Sequence, residues 1–96
     1  MRLKLTDEII QSEAKIHPMG KGYQFTEDIG DYTLSIVGGA MGLYGNFKDT
    51  YEVALIDNTD GRFVTSFFGP RPYGDEVMPY ANIDEINRLY DMIPRL

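Results

Sequence analysis

Apolar residues at positions 5, 9, 10 and 14 form a loose stripe at helical spacing, and Thr6 stands before the first turn as a side chain suited to cap it. Asp7 and Glu8 follow where the helix dipole favours negative charge. A first helix is therefore expected, ending before His17-Pro18, because the residue ahead of a proline disfavours the α region. After a Gly20-Lys21-Gly22 link the period changes from helical to alternating. Tyr23 to Glu27 reads as a short strand. Tyr32 to Val37 reads as a stronger one, with Tyr32, Leu34 and Ile36 on one face and Thr33 and Ser35 on the other. Tyr51 to Ile56 resumes the alternation, with Tyr51, Val53 and Leu55 sharing a face. Arg62 to Phe67 is its expected partner, since Asp57-Asn58-Thr59-Asp60-Gly61 has the chemistry and length of a hairpin turn with glycine in the left-handed position.

Gly69-Pro70-Arg71-Pro72-Tyr73-Gly74 breaks this ladder, because proline donates no backbone hydrogen bond. Asp75 to Tyr80 then reads as a short extended return. The closing element is a helix: Asn82 and Glu85 form a capping-box pair, Ile83, Ile86, Leu89, Tyr90 and Ile93 recur at helical spacing, and Pro94 ends the run. The pattern predicts a single α+β domain over 1–96, a three- to four-stranded antiparallel meander flanked by an N-terminal and a C-terminal helix packed on one face.

Composition narrows the function classes. The chain has 96 residues with no cysteine, so neither disulfides nor thiolate metal sites enter, and a reducing compartment suits it. No apolar run approaches the roughly 20 residues that span a bilayer, and no signal-peptide pattern opens the chain, so a cytosolic protein is expected. The formal net charge is −6. Residues 1–48 carry five Lys/Arg against six Asp/Glu, and residues 49–96 carry four against nine. That balance disfavours direct contact with phosphate backbones and makes a basic protein the fitting partner.

Catalytic chemistry finds little to work with. Nucleophile and base pairs need Cys/His or Ser/His neighbours, and the single histidine, His17, sits between a helix end and a proline, where an exposed turn residue is the simpler reading. The adjacent acids Asp84-Glu85 fall in a first helical turn, where the dipole alone accounts for them. Asp75-Glu76 falls in a loop. The glycine-rich run from Gly38 to Gly45 lacks the spacing of a dinucleotide or Walker loop, so an irregular interstrand connection is expected there. Asp57 to Gly61 lacks the ligand spacing of a calcium loop and reads as a turn. No cofactor is expected.

Aromatics at positions of irregular backbone invite a different reading. Tyr44 and Phe47 in the glycine loop, Phe68 at a strand end, and Tyr73 and Arg71 among the prolines are candidates for a protein interface, where aromatic residues and arginine are enriched. Core packing competes with that role for each aromatic. Together with Asp57, Asp60, Asp75 and Glu76 they make up the candidate partner-binding set.

Leu34-Ser35-Ile36-Val37-Gly38-Gly39, Tyr51-Glu52-Val53-Ala54-Leu55, Phe63-Val64-Thr65, Asp75-Glu76-Val77 and the closing acidic helix form a layout that resembles small accessory proteins carried by bacteriophages and prophages. The resemblance is one of layout and covers about two thirds of the chain, from Tyr32 to Ile93. It implies a short, acidic, non-enzymatic protein expressed during infection, a class that includes anti-CRISPR proteins and DNA mimics. With only nine acids in residues 49–96, partly offset by four arginines, a full duplex mimic is not expected. Occupancy of a host protein, with nucleic-acid-handling proteins among the candidates, is the leading expectation. A self-associating assembly component and a small-molecule sensor closed by the glycine loop stand as alternatives.

Overall fold

A computed structural model describes residues 4–17, 20–40, 43, 45–64 and 77–93. It is an α+β structure with an antiparallel sheet and two helices. Helix α1 spans Asp7–Glu13; β1 Lys15–Ile16, β2 Tyr23–Ile29, β3 Tyr32–Gly38, β4 Tyr51–Asp57, β5 Arg62–Phe63 and β6 Met78–Ala81 follow; α2 spans Ile83–Met92. The sheet order is β1-β2-β3-β4-β5, and β6 also pairs with β4. Strand β4 shares its outer edge between two short partners: β5 takes the Ile56–Asp57 end and β6 the Tyr51–Val53 end.

The strand count exceeds the three or four expected because short pairings add to the longer ones. Helix α1 stops at Glu13, Ala14 turns extended at ψ 151°, and Lys15–Ile16 pair with Gln24 and Tyr23. The glycine link closes that hairpin, with His17 N–H donating to Gly22 O at 3.1 Å. Gly22 holds φ +73°, and an added Cβ would lie 2.6 Å from the Gly38 carbonyl, so both the conformation and the close approach demand glycine. Gly30-Asp31 links β2 to β3 with Gly30 at φ 58°, a two-residue connection whose first position suits glycine. Gly61 sits at φ 73°, the left-handed position expected of the β4–β5 turn.

Register places the core. Phe25 opposes Ile36, Leu34 opposes Leu55, and Ile36 opposes Val53, so one face is apolar across three strands apart from Glu27, which stands opposite Leu34. Those residues join Leu5 and Ile10 from the N-terminal region and Ile86, Leu89, Tyr90 and Ile93 from the C-terminal one in a single buried cluster. Burying apolar area of this kind is the main favourable term of the fold, at roughly 25 cal/mol per Å².

Polar contacts pin the helices where burial alone is non-directional. Thr6 Oγ1 accepts from Ile9 N–H at 3.1 Å, capping α1. Asn82 and Glu85 close a full capping box on α2, at 2.9 and 3.2 Å. Asn87 reaches from α2 to the N-terminal segment: its Oδ1 accepts from Leu5 N–H at 2.7 Å and its Nδ2 donates to Leu5 O at 2.8 Å. The Tyr90 hydroxyl donates to the half-buried carboxylate of Glu27 on β2. Tyr51, fully buried, donates its hydroxyl to Asp7 Oδ1 at 2.5 Å and accepts from Gln11 Nε2 at 3.2 Å, joining β4 to α1.

Candidate functional site

Two turns meet at one end of the sheet. The antiparallel register brings the end of β2, the start of β3 and the end of β4 side by side, with Ile29 opposite Tyr32 and Tyr32 opposite Asp57. Asn58 N–H donates to Asp31 O at 2.8 Å and ties the β4–β5 turn to the β2–β3 turn. Its side chain continues the link: Asn58 Nδ2 donates to Thr33 Oγ1 at 2.9 Å, and Thr33 Oγ1 donates to Asp28 Oδ1 at 2.6 Å. Asp28, Asp31, Asp57 and Asp60 are thereby collected at one end, with Asp57 half-buried and the other three exposed.

Each turn carboxylate also shapes its own backbone. Asp57 Oδ1 accepts from Thr59 N–H at 2.9 Å and from Thr59 Oγ1 at 2.7 Å. These bonds favour the ionised form, and the Thr59 hydroxyl followed by its amide holds the Asp57 carboxyl below its ordinary value. Asp60 Oδ1 accepts from Arg62 N–H at 2.9 Å. Arg62 stands opposite Asp57 across the ladder, and Phe63 beside it is 43% exposed. The result is an acidic rim with the exposed Phe63 ring at its margin.

The candidate residues from the sequence divide into three groups. Asp57 and Asp60 belong to this rim. Tyr44, Phe68, Arg71, Tyr73, Asp75 and Glu76 lie outside the described residues. Phe47 requires a correction as an interface candidate: it is only 6% exposed, and its ring centroid lies 5.3 Å from that of Tyr51 and 5.5 Å from that of Tyr23. Asn46 is the cause. Its Oδ1 accepts from the N–H groups of Lys48, Asp49 and Thr50, at 2.8, 3.1 and 3.2 Å, in a tight turn that carries Phe47 at φ 58°. The last part of the glycine-rich connection is thus a turn closed by asparagine.

Asp28, Asp31 and Phe63 were not in the sequence-derived set. Gly30-Asp31 was a readable hairpin signal, and recognising it would have moved Asp28 and Asp31 toward Asp57. A concavity of about 500 Å³ lies between residues 4–7 and α2, with Lys4, Asp84 and Asp91 on its walls. Its other polar groups are engaged within the fold, Asp7 by Tyr51 and Asn87 by Leu5. Among the described residues, no group of three or more His, Asp or Glu side chains is placed to hold a metal ion. No described helix is long and apolar enough to cross a membrane.

Comparison with protein-family models, curated proteins and solved structures finds no match to this chain.

Proposed function

We propose that this chain is a small non-enzymatic binding protein that inhibits or modulates a host protein by occupancy, with the acidic end of the sheet as its contact surface. The observation that carries this reading is the collection of Asp31 and Asp60 on two turns tied together by Asn58, with Asp28 and Asp57 on the strand ends that lead into them and the exposed ring of Phe63 on β5. Carboxylates held on short turns need little reordering on contact, so they steer and orient a basic partner at small entropic cost. A basic nucleic-acid-handling protein of a bacterial cytosol fits that chemistry, in keeping with the resemblance to phage accessory proteins. In this reading the two helices cover one face of the meander and act as the rigid backing that keeps the turns in place.

The test is retention of host proteins from bacterial lysate on the tagged chain, at low and at high salt, beside an Asp31→Lys/Asp60→Lys variant. A basic protein retained at low salt, released at high salt and lost with the variant is the expected result. Retention that survives both changes would remove the acidic end from the account.

A further inference from the structure

The outer edge of β2 carries backbone groups that the described strands leave unpaired. Asn58 N–H donates to Asp31 O, so Asp31, Thr33 and Ser35 direct their backbone groups toward β4. Antiparallel ladders alternate, so Tyr32, Leu34 and Ile36 direct theirs toward Ile29, Glu27 and Phe25 of β2. Gln24, Thr26 and Asp28 therefore point their N–H and C=O groups away from β3, toward the outer edge. Strand β1 takes up only Gln24 of these, because Lys15 stands opposite it and the chain before Ala14 leaves the sheet as α1. Thr26 and Asp28 are exposed, and among the described residues no strand pairs with β2 beyond Gln24. The charge beside this open stretch is negative. Asp28 accepts from the Thr33 hydroxyl at 2.6 Å, Asp31 is exposed in the following turn, and neither carboxylate meets a cation among the described residues. Lys15, the cation on β1, stands opposite Gln24 rather than Asp28, with Glu13 close before it in the chain. Glu27, on the core face, takes the Tyr90 hydroxyl.

We infer that the partner meets this chain through an extended basic segment, which adds as a further strand to the outer edge of β2 at Thr26 and Asp28 and sets a lysine or arginine opposite Asp28. Main-chain bonds to the open N–H and C=O groups supply the hold, and the carboxylates choose the segment. The fold already divides an edge in this way, since β5 and β6 share the outer side of β4. On β2 the incoming segment continues the line that β1 begins. A second copy of this edge does not fit, because two copies placed antiparallel set Glu27 against Glu27 or Asp28 against Asp28. The inference rests on the reading of the acidic end as the contact for a basic protein, and it gives that protein a form: the part that docks is extended chain, not a helix.

Amide hydrogen exchange of the full chain, followed by NMR, tests it with a probe peptide of about eight residues in which lysine and threonine alternate, long enough at about 3.3 Å per residue to cover the open stretch. In the free chain the Thr26 and Asp28 amides are expected to exchange faster than those of Phe25 and Glu27, and the peptide is expected to slow them selectively. The same peptide N-methylated at every residue keeps its charge but donates no backbone hydrogen bond, and it is expected to bind the wild type about tenfold more weakly. Thr26→Pro removes one outward N–H without touching the β2–β3 ladder, and it is expected to weaken the parent peptide about fivefold. Protection of the Thr26 and Asp28 amides in the free chain overturns the inference. So does a methylated peptide, or one in which glutamate replaces lysine, that binds as tightly as the parent. Asp31→Lys/Asp60→Lys separates the edge from the acidic end, because it leaves both amides in place. If that variant loses the parent peptide while methylation has no effect on the wild type, the acidic end stands and the edge falls. If methylation weakens binding and the variant binds as the wild type does, the edge stands and the acidic end falls.

Discussion

Phe47 shows how a single residue can be assigned the wrong surface by its neighbourhood in sequence. Glycines and a turn-forming asparagine around it suggest exposure, yet the ring sits between Tyr23 and Tyr51 in the core. Phe47→Ala is therefore expected to cost stability, about 3 to 5 kcal/mol by chemical denaturation, and to leave the exposed charge pattern unchanged. Tyr51 is the second residue whose role is internal. Burial, then its bond to Asp7, raises its phenol well above the ordinary value of 10.0. The unfolded chain ionises first as pH rises past that value, so the stability tied to the neutral phenol is complete below it and is lost above it. Tyr51→Phe is expected to destabilise by about 1 to 2 kcal/mol at neutral pH, because it leaves Asp7 and Gln11 without their shared partner. The variant should also lose the part of the alkaline decline in melting temperature that this phenol supplies.

At the level of elements, hydrophobic period predicted what it physically governs. The faces of β3 and β4, the Thr6 cap and the Asn82–Glu85 box were legible because each is a local pattern with a local cause. Strand β1 was not, since two residues carry no period and its existence depends on Tyr23 and Gln24 offering a ladder. The acidic rim was half legible: Asp57 and Asp60 share a turn in sequence, whereas Asp28 and Asp31 join them only through the register of β2, β3 and β4. The tether from Asn87 to Leu5, 82 positions apart, had no sequence signal at all. Asn87→Ala is expected to cost about 1 to 3 kcal/mol, because it frees a backbone N–H and a carbonyl beside a buried leucine. Leu5 amide exchange should accelerate more than that of Phe25, which reports the core. In the β4–β5 turn, Thr59→Ala removes the hydroxyl that holds Asp57 ionised. The Asp57 carboxyl should then titrate closer to its ordinary value of 3.8, as followed by NMR. The stability contributed by Asp57 is present above that value and lost as pH falls through its depressed one, so the variant's deficit should be constant above the ordinary value and fade in more acidic solution.

For the whole molecule, the two ends of the sheet differ in chemistry while its two lateral edges share a defect. On one side β1 runs for only 2 residues. On the other, β5 is equally short, and β6 carries Pro79 and a register shift between its pairings with Tyr51 and Val53. Tyr80, inside that irregularity, holds φ 54° with its side chain 62% exposed. A flat strand with a continuous row of free amides is a template on which further chains can stack, and β1, β5 and β6 are each too short or too irregular to be one. Growth by strand addition on those three strands, the route to amyloid-like fibres, is therefore disfavoured even though the sheet itself is rich in β-forming residues. Pro79→Val restores an amide to β6, and it is expected to shorten the lag before dye-binding fibres form in concentrated solution. Short and interrupted outer strands thus make poor templates for the chain's own unfolded copies.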